Sequence, residues 1–124
     1  MKKKIALIVI LAILIIIQFF PASKNQSTEL LASDITKVTT VPDDVLQVLK
    51  AACYDCHSNN TVYPWYNNIQ PVAWWLNRHV EEGKEHLNFS TFGEYTSEKA
   101  AKKMRGIARE VEKGDMPLTS YTLI

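Results

Sequence analysis

The sequence predicts an all-α fold behind an apolar amino-terminal segment. Two observations carry this. Three separate stretches repeat apolar residues at the helical period, and no stretch shows the strict alternation of a half-buried strand. Length sets the scale: 124 residues hold one domain.

Residues 1–22 read MKKKIALIVILAILIIIQFFPA. Lys2, Lys3 and Lys4 precede an unbroken apolar run from Ile5 to Ile17. Gln18 interrupts it, and Phe19 and Phe20 extend it to just short of the roughly 17–25 residues of a membrane-spanning helix. A cationic start followed by an apolar run marks an exported chain. Phe20 before Pro21 and Ala22 makes a poor cleavage site, so an uncleaved signal anchor is favoured over a cleaved signal peptide. The segment has no cysteine for lipid attachment. The lysines stay in the cytoplasm. The expected location is therefore the bacterial inner membrane facing the periplasm, or the periplasm itself if the leader is cleaved. A core helix is rejected, because a domain this small does not surround a helix that is apolar on every side.

Residues 23–41 are polar and without period, and they predict a tether between membrane and domain. The domain proper is expected over residues 42–124. Its first helix spans about 42–52, with Val45, Val48, Leu49 and Ala52 on one stripe and Pro42, Asp43 and Asp44 at its start. The second spans about 71–82, with Val72, Trp75, Leu76, His79 and Val80 on one face and Gly83 as its stop. The third spans about 97–113. Ser97 is its cap, Gly114 lies past its end, and Ala100, Met104, Ile107, Ala108 and Val111 form its stripe. The loops between are long for so small a domain, which suggests that something besides protein holds them.

Composition removes several function classes. A 47% hydrophobic and 22% charged chain is globular rather than disordered. The net charge is only +1, and three of the positive charges sit at Lys2–Lys4. No basic surface remains for a nucleic acid. Two cysteines are too few for a disulfide scaffold. Nothing resembles a nucleotide loop or a hydrolase triad.

Both cysteines fall in Cys53-Tyr54-Asp55-Cys56-His57, the C-x-x-C-H signature of covalent haem attachment. Thiols three positions apart on a helical turn reach the two vinyl groups on one edge of a haem. The following His57 then lies under the ring and binds iron. A thioredoxin-like redox motif needs a βαβ setting, and a zinc site needs further ligands. A plain disulfide would leave His57 unexplained. No second C-x-x-C-H exists, so one haem is expected.

Met116, in Gly114-Asp115-Met116-Pro117, is the favoured sixth iron ligand, because a loop methionine before proline is held rigidly. His/Met ligation raises a haem's reduction potential. His79 is the alternative, although a histidine on an apolar stripe is commonly a hydrogen-bonded core residue. His86 ranks third, and Met104 is read as packing. Tyr63, Trp65, Tyr66, Trp74 and Trp75 either wall a haem pocket or form ordinary core. Among these, Trp65 and Trp75 are carried as pocket candidates. Arg78 is a candidate partner for a haem propionate, against the commoner case of a solvated arginine.

These residues resemble a known family. Cys53, Cys56, His57 and Ser58-Asn59 are followed by Tyr63-Pro64-Trp65-Tyr66 and Pro71-Val72-Ala73-Trp74-Trp75-Leu76. His79-Val80, Glu82-Gly83, His86-Leu87-Asn88-Phe89-Ser90, Gly114-Asp115-Met116-Pro117 and Ser120-Tyr121-Thr122 complete the pattern. The chain is similar over about residues 40–124 to the haem-binding domain family, short exported proteins like single-haem c-type cytochromes. The resemblance implies a cytochrome c-like helical domain around one haem c bound at Cys53 and Cys56, with His57 on the iron and Met116 opposite. Cytochrome c-like domains close with a carboxy-terminal helix across the first helix. Here the sequence ends at Tyr121-Thr122-Leu123-Ile124, so that helix is expected to be missing and Val45, Val48 and Leu49 partly uncovered.

The expected function is single-electron transfer between periplasmic redox partner proteins by a membrane-held carrier, without catalysis of its own. The alternative is a haem-based ligand-binding sensor or accessory module with an open iron site.

Overall fold

Apolar residues spaced three and four apart wind into helices here, as the pattern requires. The computed structural model describes residues 1–122. Among the described residues seven helices follow in order: α1 (Lys2–Ile16), α2 (Ile35–Val38), α3 (Asp43–Ala52), α4 (Tyr54–His57), α5 (Val72–His86), α6 (Ser97–Lys113) and α7 (Thr119–Thr122). Three 3₁₀ turns interleave, at Ile17–Phe19, Trp65–Asn68 and Phe89–Glu94. Among the described residues there is no strand, only an isolated bridge between Gln26 and Asn60. The all-α expectation holds.

The three predicted helices are present, with informative differences. Acidic Asp43 and Asp44 sit in the first turn of α3 and Lys50 in its last, each complementing the helix dipole. In α6 the cap is Thr96 rather than Ser97, its hydroxyl accepting from Lys99 N at 3.3 Å. Gly114 ends α6 at φ 77°, a conformation that glycine adopts without strain. Helix α5 does not stop at Gly83 but runs on to His86. Of the α6 stripe, Ala100 and Ile107 reach the core, while Met104 and Val111 stay exposed, so Met104 is not a packing residue.

The core is small. Ile35, Leu87, Phe89 and Phe92 are buried together, and Leu49, Cys53, Tyr54, Ala100 and Ile107 pack around them. Ile35 comes from the stretch expected to be a tether, which corrects that expectation. Asp34 caps α2 by accepting from Thr36 N at 2.9 Å, and this turn sets Ile35, only 1% exposed, against the Phe89–Glu94 turn. Upstream, Asn25 is a hub. Its amide N donates to Tyr63 Oη at 2.9 Å, and its side chain donates to Ser58 O at 2.8 Å and Thr61 Oγ1 at 2.9 Å. Its Oδ1 accepts from Lys84 at 2.6 Å and its carbonyl from Thr61 N at 2.8 Å. Residues 23–41 are thus a strap bound across the domain. Replacing Ile35 with Ala is expected to destabilise the fold by about 2–5 kcal/mol through the cavity it leaves. Denaturant unfolding of the full chain checks this, since a free tether would give no change.

Helix α1 has no buried residue, and its apolar side chains stand exposed. Among the described residues no helix is long and apolar enough to cross a membrane. After α6 comes α7, a single turn of four residues, and not a helix packed across α3. Tyr121 Oη donates to Asp55 Oδ2 at 2.7 Å and lies 3.2 Å from Ala51 O, which ties α7 to the end of α3. Val45 and Val48 remain exposed, as expected, while Leu49 packs on the core. Leu123 and Ile124 lie outside the described residues.

Candidate haem site

The attachment motif occupies the end of α3 and the single turn of α4. Its four leading residues point to different tasks. Tyr54 turns inward and stacks on Phe89, with ring centroids 5.1 Å apart. Burial, with Asp34 and Cys53 nearby, pushes its phenol up to about 12. Asp55 turns outward and accepts from Val62 N at 3.0 Å as well as from Tyr121. These two contacts pin the loop after the motif and α7 to the same carboxylate. Neither role was read from the sequence, where Tyr54 and Asp55 are merely the two variable positions. Cys53 and Cys56 are half-buried and unpaired with each other. Burial raises both thiols above their ordinary value, and at Cys56 the neighbouring Asp55 and Cys53 add to the rise. Both therefore stay protonated at neutral pH.

His57 is held from behind. Its Nδ1 lies 2.8 Å from Gly83 O and 3.0 Å from Leu87 O, both at the end of α5. Carbonyls only accept, so Nδ1 carries the proton and Nε2 keeps its lone pair. A backbone carbonyl on one ring nitrogen is the usual way a metal-binding histidine is oriented and made more basic. Phe89 packs near the ring, 6.4 Å between centroids and close to perpendicular. Helix α5 comes unusually near to make this possible. A Cβ built on Gly83 would lie 2.5 Å from Cys56 O and 3.1 Å from Cys56 Cβ. Gly83 is there for this approach and not as a helix stop.

On the other side of Cys56 lies a largely apolar cavity of about 410 Å³ between α4, α5 and α7. Cys56, Tyr63, Tyr66, Trp75, Leu76, His79, Leu118 and Tyr121 contribute to its wall. Its size is in the range of small-molecule sites. His79 Nδ1 lies 2.9 Å from Trp75 O, one helical turn back, so its Nε2 is also left with a lone pair. The Trp75 and His79 rings sit 4.4 Å apart.

The sequence-derived candidates divide accordingly. Cys56, Trp75 and His79 meet at the cavity, and Cys53 and His57 stand on the core side of the same turn. Met116 is 38% exposed and does not line the cavity, though Leu118, two residues on, does. Trp65 is exposed and packs edge-on to Tyr66, outside the wall. Arg78 is solvated and pairs with Glu82 at 2.8 Å, away from the cavity, because an i,i+4 partner on its own helix face is nearer. Trp74 donates to Phe20 O at 2.8 Å, and His86 is exposed.

The donor set fits a haem. It offers two unpaired thiols at the attachment spacing, an imidazole with its outer nitrogen free, and an aromatic cavity beside the second thiol. Among the described residues no three His, Cys, Asp or Glu side chains cluster around a common point, so a zinc site lacks its ligands. No curated protein and no solved structure matches the chain. A family model described as a haem-binding domain matches residues 12–124. That match takes in α1's last turns, the strap and the whole helical domain, and with it a haem cofactor is supported. The chain belongs to the haem-binding domain family.

Proposed function

We propose that Cys53 and Cys56 carry a single haem c as thioethers, that His57 Nε2 is one axial iron ligand, and that the protein passes single electrons between periplasmic partners at the bacterial inner membrane. The observation that carries this is the hold on His57. The carbonyls of Gly83, in α5, and Leu87, just past its end, orient its ring within a turn that also presents two free thiols. The iron supplies one-electron chemistry. The chain's residues fix the ligand, shield the ring with Tyr63, Tyr66 and Trp75, and keep water out with α7. The sixth ligand is Met116 in this reading. Pro117 and Leu118 fix the loop that carries it, and Leu118 already stands in the cavity wall.

A second reading has its own observation. Met116 lies outside the cavity wall and His79 inside it. An iron left open on that side would suit a ligand-binding sensor or accessory module, whereas His79 on the iron would replace Met116 as the sixth ligand of a carrier. The visible spectrum of the full chain, exported in a host with c-haem maturation and recorded oxidised and reduced, separates the two. The electron carrier is expected to be low-spin, with the weak near-red band of a sulfur–iron bond when oxidised. Met116→Ala then loses that band and gains carbon monoxide binding, while His79→Ala keeps the band. A high-spin wild-type spectrum that shifts with carbon monoxide favours the sensor. A colourless, folded protein overturns both.

A further inference from the structure

We propose that the domain does not hang from its amino-terminal helix but lies flat on a lipid surface, through an aromatic rim built around the base of α1. The inference rests on the membrane location proposed above and goes beyond it. Three sets of contacts join the base of α1 to one segment of the domain. Gln18 and Gln70 exchange two hydrogen bonds, Gln18 Nε2 to Gln70 O at 3.1 Å and Gln70 N to Gln18 Oε1 at 3.0 Å. Trp74 Nε1 donates to Phe20 O at 2.8 Å. Lys24 Nζ donates to Asn68 Oδ1 at 3.0 Å. Below it the strap is bonded to the domain at Asn25, so contacts join the base of the helix to the domain on both sides of Phe20.

Around that junction, beside the exposed Lys24–Asn68 pair, exposed apolar side chains cluster. Phe19 is 79% and Trp65 76% exposed, and Phe20, Ile69, Val72 and Trp74 are also open to solvent. They continue the surface of α1, which is apolar on all sides and carries only the three lysines at its far end. A helix with no polar face suits lipid better than water or a second copy, which would cover one face only. From Ile5 to Phe19 the apolar part of the helix and its 3₁₀ turn run only about 24 Å, short of the roughly 30 Å of a hydrocarbon core. Buried end-on, they leave no spacer, so whatever is bonded to Gln18 and Phe20 must sit in the interface. Tryptophan and phenylalanine beside the exposed Lys24–Asn68 pair are suited to that layer, where rings are favoured and polar groups stay hydrated. Docked this way, the domain is held at one height and one orientation above the bilayer.

The test uses the full chain with its haem, in phosphatidylethanolamine–phosphatidylglycerol vesicles containing a diazirine phospholipid whose carbene forms near the headgroup. Peptide mapping then locates the adducts. Rim docking predicts adducts in the peptides covering residues 62–74 as well as in α1. Trp65→Ser with Ile69→Ser is expected to lower the 62–74 adducts several-fold, leaving α1 labelling and the visible spectrum as they were. Adducts in α1 alone, or rim adducts indifferent to the double variant, overturn the inference and leave the anchor intact. A chain that stays out of the vesicles overturns both.

Discussion

The Cys53→Ala, Cys56→Ala double variant is expected to run unstained on a denaturing gel developed for haem, where the native chain carries stain at its own mass. Both thiols are free and half-buried on one turn, and burial keeps them protonated. In the proposed attachment each S–H would add across one vinyl group, with a sulfur–carbon bond formed, the hydrogen passing to the neighbouring carbon and no oxidant consumed. Removing one cysteine leaves one thioether and a fainter band. Removing both leaves only the bond from His57 and the cavity contacts, which denaturant breaks. His57→Ala is expected to have the converse signature, stain persisting on the gel while the native spectrum shifts, because the proposed site gives attachment and ligation to different residues. Stain retained by the double variant would mean that the haem is held some other way, and the carrier reading would fall with it.

What was legible in the sequence was local. The spans of α3 and α6 follow from apolar spacing and terminal chemistry, and the haem motif from five consecutive residues. What was not legible depends on distant partners. Asn25 reads as one polar residue in a polar stretch, yet it bonds to Ser58, Thr61, Tyr63 and Lys84. Hydrogen bonds between loops leave no periodicity behind. Ile35 lay in the same stretch, and a single apolar residue sets no pattern. Arg78 was a reasonable propionate partner until Glu82, one turn away, took its guanidinium. The motif's own middle residues were silent for the same reason. Tyr54 finds Phe89 and Asp55 finds Tyr121 only once the chain has folded.

Gly83 shows the difference most sharply, and its replacement by Ala is expected to be among the most damaging single changes in the domain. As punctuation it read as a helix stop. In the structure it is an interior residue of α5, where alanine has the better intrinsic propensity by up to about 1 kcal/mol. Propensity alone therefore predicts a gain. Against it stands the Cβ that would lie 2.5 Å from the carbonyl oxygen of Cys56. The obstacle is backbone, so no side chain swings away to relieve it, and α5 must back off from α4. Overpacking of this kind costs about 1–3 kcal/mol. The shift also carries Gly83 O and Leu87 O away from His57 Nδ1, which loosens the ring they hold. Gly83→Ala should thus lower the melting temperature by several degrees and broaden or shift the haem spectrum together. Gly106→Ala is the internal control, since Gly106 lies inside α6 with nothing within 4 Å of the added atom. There propensity acts unopposed, and stability should rise by about 0.5–1 kcal/mol with the spectrum unchanged. If both variants gain stability, α4 and α5 do not approach as closely as this geometry holds. The orientation of His57 would then need another source.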